Sequence, residues 1–124
     1  MLDIQNRDDI VNLINKFYET VQNDNQIGHF FNDVAKVDWS HHLPQMYNFW
    51  ESLLLGKKTY TGNPMRKHIE LAKLAPLKHE HFERWIEIFS QTVDDLFKGD
   101  NANRIIEYAK TIRENLELRT SEVA

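Results

Sequence analysis

The sequence predicts an all-α protein of four long helices and one short one, and three observations predict it. Apolar residues recur at helical spacing in four separate stretches. Residues that cap or stop helices stand at the ends of those stretches. No segment shows sustained alternation of apolar and polar residues, so no sheet is expected.

The elements follow in chain order. Asn6, followed by Arg7, Asp8 and Asp9, forms a capped acidic start, and Ile10, Leu13, Ile14, Phe17, Tyr18 and Val21 then mark one face of a helix running to about Gln22. The segment NDNQIGHFFND holds turn formers around Gly28 and reads as a corner with a short, partly buried turn, in which Phe30 or Phe31 points inward. From Trp39, the positions Leu43, Met46, Phe49, Trp50, Leu53 and Leu54 form a second stripe, with Gly56 as its stop. Pro44 leaves two possibilities for this helix: a start near His42, or a bend there. After the polar loop KKTYTGNP, Asn63 caps a short helix with Pro64 in its first position, and His68 falls in the second turn. After Pro76, the residues Phe82, Trp85, Ile86, Phe89, Val93, Leu96 and Phe97 define a helix that stops at Gly99. Asp100 or Asn101 caps the last helix, which carries Ile105, Ile106, Ala109, Ile112 and Leu116 inward.

Length and composition restrict function. The 124 residues suit one domain over 1–124, with enough chain to bury a cofactor. No Pro/Gly/Ser-rich linker or repeat divides them. The net charge of -4 supplies no basic field for nucleic acid or anionic lipid, and neither partner is expected. The start of the sequence lacks a basic segment followed by an apolar one, and no run of about 18 apolar residues occurs, so a cytoplasmic protein without membrane contact is the expectation. With no cysteine, disulfides, thiolate-ligated zinc, iron–sulfur clusters, covalently attached haem and thiol nucleophiles are all excluded. A metal would be held by nitrogen or oxygen.

Six histidines are therefore the natural ligands. No two of them stand four apart, as a zinc protease helix requires, and no repeated Glu-x-x-His quartet serves a di-iron bundle. His79 and Glu83, at i and i+4, read as an ion pair at a helix start. His41 with His42 and His79 with His81 read, by themselves, as solvated residues at helix ends. His68 has a different setting, behind a rigid Asn-Pro start on a short helix that contributes little core. Tyr18 and Trp85 put polar atoms inside apolar stripes, where each needs a partner.

These residues match a family. Phe17-Tyr18, Phe30-Phe31-Asn32, His42 with Tyr47-Asn48-Phe49-Trp50, Leu54-Leu55-Gly56, the run Tyr60 to His68 and His81-Phe82-Glu83-Arg84-Trp85, in this order over most of the chain, resemble the group III truncated haemoglobins of bacteria. The absence of a Gly-Gly pair agrees with that group. The resemblance implies a two-over-two helical sandwich around a b-type haem. It implies His68 as the proximal iron ligand and Tyr18, Trp85 and His42 as the distal residues. Phe31 would pack on the porphyrin, with Met46, Phe49 and Trp50 lining the pocket. Lys57, Lys58, Arg66 and Lys67 are near His68 in sequence and become candidates for the propionates. The implied function is binding of dioxygen or another diatomic gas, with redox chemistry as an extension. The alternatives are a nitric-oxide dioxygenase or peroxidase-like enzyme, and a helical interaction domain without haem. No flavin or nicotinamide fingerprint is present, so turnover would draw electrons from a separate reductase.

Overall fold

The computed structural model describes residues 1–58, 60, 70, 72, 73, 75 and 77–121, with Ser121 given by its backbone alone. The expected short helix, with Arg66, Lys67 and His68, lies outside the described residues. Among the described residues there are four long helices: α1 (Arg7–Gln22), α2 (Trp39–Leu55), α3 (His79–Leu96) and α4 (Asp100–Ser121). A single π turn, Phe30–Val34, follows α1. No strand occurs among the described residues. α1 packs against both α2 and α3, α3 against α4, and α2 touches α4 lightly, so one helix pair lies over another.

α1 forms as its sequence requires. The Asn6 side chain accepts the Asp9 amide at 3.1 Å, and Asp8 and Asp9 lie in the positive first turn. All six stripe residues are buried. Each such burial contributes about 1.5–3 kcal/mol, and their common face makes α1 the centre of the core. Phe17 is the hub: its ring lies 4.8 Å from Tyr18, 5.1 Å from Phe89 and 5.6 Å from Trp85, edge-on in every case.

The start of α2 resolves the two possibilities left by Pro44. Asp38 accepts the Ser40 amide at 3.1 Å, which begins the helix at Trp39, three residues before His42. Pro44 lies inside it and withholds one amide from the ladder. Gly56 ends α2 with φ 73, a left-handed stop that glycine adopts without strain. α3 ends at Leu96, three residues before the expected stop at Gly99.

The cap of α4 departs from expectation. Asp100 is already helical, and the carboxylate that accepts the first free amides comes from the other end of the chain: Asp3 takes the Asn101 amide at 2.9 Å and the Ala102 amide at 2.8 Å. Gly99 admits this contact. A Cβ there would lie 2.5 Å from Asp3 Cγ, and its φ of 149 is open only to glycine.

One buried carboxylate sets the corner. Asp24 accepts the amides of Gln26 at 3.0 Å and Ile27 at 3.1 Å, and pairs with Arg84 of α3 at 2.8 Å. Burial by itself would raise its pKa; the Arg84 hydrogen bond and the two amides outweigh that and hold it below the ordinary carboxylate value. Gly28 lets the chain turn back here, because a Cβ would lie 2.8 Å from the Gln22 carbonyl oxygen.

Candidate functional site

Three elements bring four rings together. Tyr18 comes from the inward face of α1, Phe31 from the π turn, and Trp39 and His42 from the first turn of α2. The Tyr18 centroid lies 5.1 Å from His42, 5.4 Å from Trp39 and 6.0 Å from Phe31, and Trp39 stacks on Phe31 at 6.0 Å. The Tyr18 residue is only 6% exposed, and no hydrogen bond joins its hydroxyl to another described residue. Burial pushes its pKa well above the ordinary phenol value, so it remains a protonated donor.

The expected pair His41 and His42 separates here. His41 is exposed and its Nε2 lies 2.9 Å from Gln45 Nε2, whereas His42 is half-buried against Tyr18 and Trp39. His42 is the inward member, because it follows His41 by one helical step of about 100°.

Trp85 reaches the cluster through Phe17, which touches both Trp85 and Tyr18. Trp85 and Phe31 also share the wall of one mainly apolar cavity, with Ile27, Leu77, His81 and Phe82. Of the remaining expected residues, Met46 is half-buried against the core. Trp50 is buried and stacks on Phe89 at 5.0 Å, behind the Tyr18 cluster, and Phe49 lies against it at 5.1 Å. Lys57 and Lys58 are exposed after the end of α2. Arg66, Lys67 and His68 lie outside the described residues.

Sequence reasoning placed His81 among solvated helix-end residues, and that is corrected here. His81 lines the cavity, with its ring 4.7 Å from Phe30, and its Nδ1 accepts the Lys78 amide at 3.0 Å. In the neutral ring the proton is therefore on Nε2. Burial lowers its pKa, which Glu80 partly offsets, while His29 and Lys78 add to the lowering. The signal was available: residues two apart on a helix lie about 200° round from one another, so His79 and His81 do not share a face and their surroundings differ. His79 is the outward one, 3.6 Å from Glu83 as expected and 2.8 Å from Glu117 of α4. Trp39 was read only as the start of a stripe, and its place beside Tyr18 follows from the early start of α2.

The arrangement suits a flat apolar ligand with a small polar centre: aromatic walls, one phenol hydroxyl and one half-buried imidazole. Among the described residues, no three His, Asp or Glu side chains come together as a metal-ligand set, and no helix is long and apolar enough to cross a membrane.

Comparison with known proteins agrees with the geometry. Residues 3–117 match the family model described as bacterial-like globin. The group 3 truncated hemoglobin of Campylobacter jejuni is 30% identical over 115 residues, covering 90% of this chain and 88% of that protein. The crystal structure of the group III truncated hemoglobin from Campylobacter jejuni superposes with a TM-score of 0.82 at 30% identity, covering 94% of this chain and 93% of that one. The same helix order and the same helical sandwich thus recur along nearly the whole length, and the chain belongs to the bacterial-like globin family, as a haem-binding group III truncated haemoglobin.

Proposed function

We propose that the chain binds a b-type haem non-covalently through His68 and handles dioxygen, or another diatomic gas, on the side that carries Tyr18, His42 and Trp85. The observation that carries this reading is Tyr18, 6% exposed and set among the rings of Phe31, Trp39 and His42, whose hydroxyl has no hydrogen bond to a described residue. A phenol held in an aromatic setting with few neighbours that accept a hydrogen bond is placed to donate to an acceptor brought by a ligand. When bound, haem supplies an iron centre at which a diatomic ligand gains negative charge, and the surrounding donors decide between binding and activation.

Each residue of the chain has a part in this reading. Phe31 and Met46 bury the macrocycle. Arg66 and Lys67 are the candidates for pairing with its propionates. Tyr18 donates to the charged ligand, Trp85 adds an indole N–H, and His42 stands at the entry. The same polar donors suit redox turnover of nitric oxide or peroxide, with electrons from a separate reductase.

Purified protein reconstituted with haem is expected to show a Soret band at one haem per chain. His68→Ala is expected to lose most of the haem, or to give a spectrum restored by imidazole; an unchanged histidine-ligated spectrum overturns that role. For Tyr18→Phe, the lost hydrogen bond to a charged group is worth about 1.5–3 kcal/mol, so dioxygen release speeds up roughly 10- to 100-fold. Carbon monoxide, nearly neutral when bound, should be released at close to the original rate. Unchanged dioxygen release in stopped-flow traces of both Tyr18→Phe and the double variant with Trp85→Phe removes the polar-pocket mechanism.

A further inference from the structure

An unbroken run of ring contacts leads from the pocket to the far side of α2. Trp85 stacks on Phe89 at 5.6 Å, and Phe89 stacks on Trp50 at 5.0 Å. Trp50 meets Phe49 edge-on at 5.1 Å, and Phe49 meets Tyr60 edge-on at 5.2 Å. Packing explains why Trp50 and Phe89 are buried. It gives no reason for the alternation along the run, in which the readily oxidised rings of Trp85, Trp50 and Tyr60 are separated by one phenylalanine each. The run also passes outward, from Trp50 at 3% exposure to the half-buried Tyr60, whose amide donates to Ser52 Oγ at 3.1 Å and so is fixed beside α2.

We infer that this run is a single-electron relay, and that Tyr60 is a surface oxidation site for one-electron reductants too large for the pocket, such as bulky phenols. The inference rests on the redox half of the proposed function. Electronic coupling falls steeply with distance, so short steps between neighbouring oxidisable rings outrun one long step. An indole gives up an electron without having to lose its proton at once, which suits Trp85 and Trp50 as intermediate stations. A phenol gives up an electron readily only together with its proton. Tyr18 stands on a side branch, reached from Trp85 across Phe17 and leading on to Trp39, and this run does not pass through it. Tyr60 is within reach of water, which takes the proton, and the equivalent comes to rest on it as a neutral phenoxyl radical.

Hydrogen peroxide is the oxidant. Cleaving its O–O bond to give two waters takes up two electrons and two protons. Two passes of the relay supply both electrons, each pass drawing one from Tyr60 while the phenol proton leaves to water. After each pass a phenol in solution gives one hydrogen atom to Tyr60, so two phenols are oxidised to phenoxyl radicals for each peroxide reduced.

The test uses the haem-loaded protein, one equivalent of hydrogen peroxide and a nitroso spin trap, with the adduct located by peptide mass spectrometry and electron paramagnetic resonance. The expected adduct is on Tyr60. Tyr47 and Tyr108 serve as internal controls, since both are half-buried and neither shares a ring contact with the run among the described residues. Trp50→Phe removes the middle station and should cut Tyr60 labelling several-fold per bound haem. Labelling that is unchanged in Trp50→Phe, or spread equally over Tyr47, Tyr60 and Tyr108 in the original chain, overturns the relay. Should Trp50→Phe fail to fold, Tyr60→Phe loses only a half-buried hydroxyl. Its expected result is an intact Soret band, no adduct at position 60 and several-fold slower oxidation of a bulky phenol; undiminished oxidation of that phenol overturns the surface site. A missing Soret band in the original protein removes the haem reading and the relay with it, whereas an intact band with labelling independent of Trp50 removes the relay alone.

Discussion

α1 and α2 have nearly the same length, 16 and 17 residues, and each carries six apolar stripe positions readable from the sequence, yet the two stripes come to different ends. In α1 all six are buried. In α2 only Trp50 and Leu54 are, while Leu43, Met46 and Phe49 are half-buried and Leu53 is 37% exposed. The periodicity names the inward face of both helices, but the depth of burial depends on what lies opposite. α1 is held between α2 and α3 and has helix on two sides, whereas α2 leans on α1 and only lightly on α4. α1 therefore serves stability first. The apolar face of α2, with His42 at one end, is the side that the proposed haem would cover.

The largest expected effect tests the α1 half of this comparison. Phe17 is 1% exposed and touches three other rings, so Phe17→Ala should cost about 3–5 kcal/mol in denaturant unfolding of the haem-free protein. A cost below about 1 kcal/mol would place α1 no deeper than α2.

A middle effect tests how α1 and its corner are tied to α3. Arg84→Met strands the Asp24 carboxylate, whose side chain is 6% exposed. A fully buried pair costs about 3–5 kcal/mol to break, and because Arg84 is 37% exposed about 1–3 kcal/mol is expected here. The pH dependence has a definite sign. Asp24 titrates below its unfolded value, near 3.9, so the stability it contributes is present above that value and is lost as pH falls through the folded one. Arg84→Met should therefore flatten the acid loss of stability below about pH 4. An equally steep acid limb in the variant would show that Arg84 does not hold that carboxyl down.

The smallest effect on folding is the most informative about α2. Met46→Ala should cost the haem-free chain about 1–2 kcal/mol, less than a fully buried methionine, because Met46 is half-buried. Its haem should leave faster than from the original protein when measured by transfer to an acceptor globin. Haem retention equal to the original, together with a folding cost matching that of Phe17→Ala, would reverse the comparison.

Much of this was legible in one chain. The bounds of α1 and its Asn6 cap follow from local chemistry, as do the Gly56 stop and the His79–Glu83 pair, since these contacts join residues within about one helical turn. The family resemblance, read from short blocks spread over most of the sequence, agrees with the fold and with the matched relatives. His81 was misread because it was weighed with its neighbour instead of by the face it occupies. Trp39 was missed as part of the site because Pro44 hid the start of α2.

The sequence by itself determined the four long helices of the described residues, their inward faces and the residue types that suit a buried ligand, because helical periodicity and capping act over a few residues and leave a local pattern. Only the tertiary structure decided which of His41 and His42 faces Tyr18. The same holds for the capping of α4 by Asp3 from the opposite end of the chain, and for Asp24 pairing with Arg84 across 60 residues. Those choices depend on how the helices meet in space, and a carboxylate records nothing in its own sequence neighbourhood about the distant amide or guanidinium that will satisfy it.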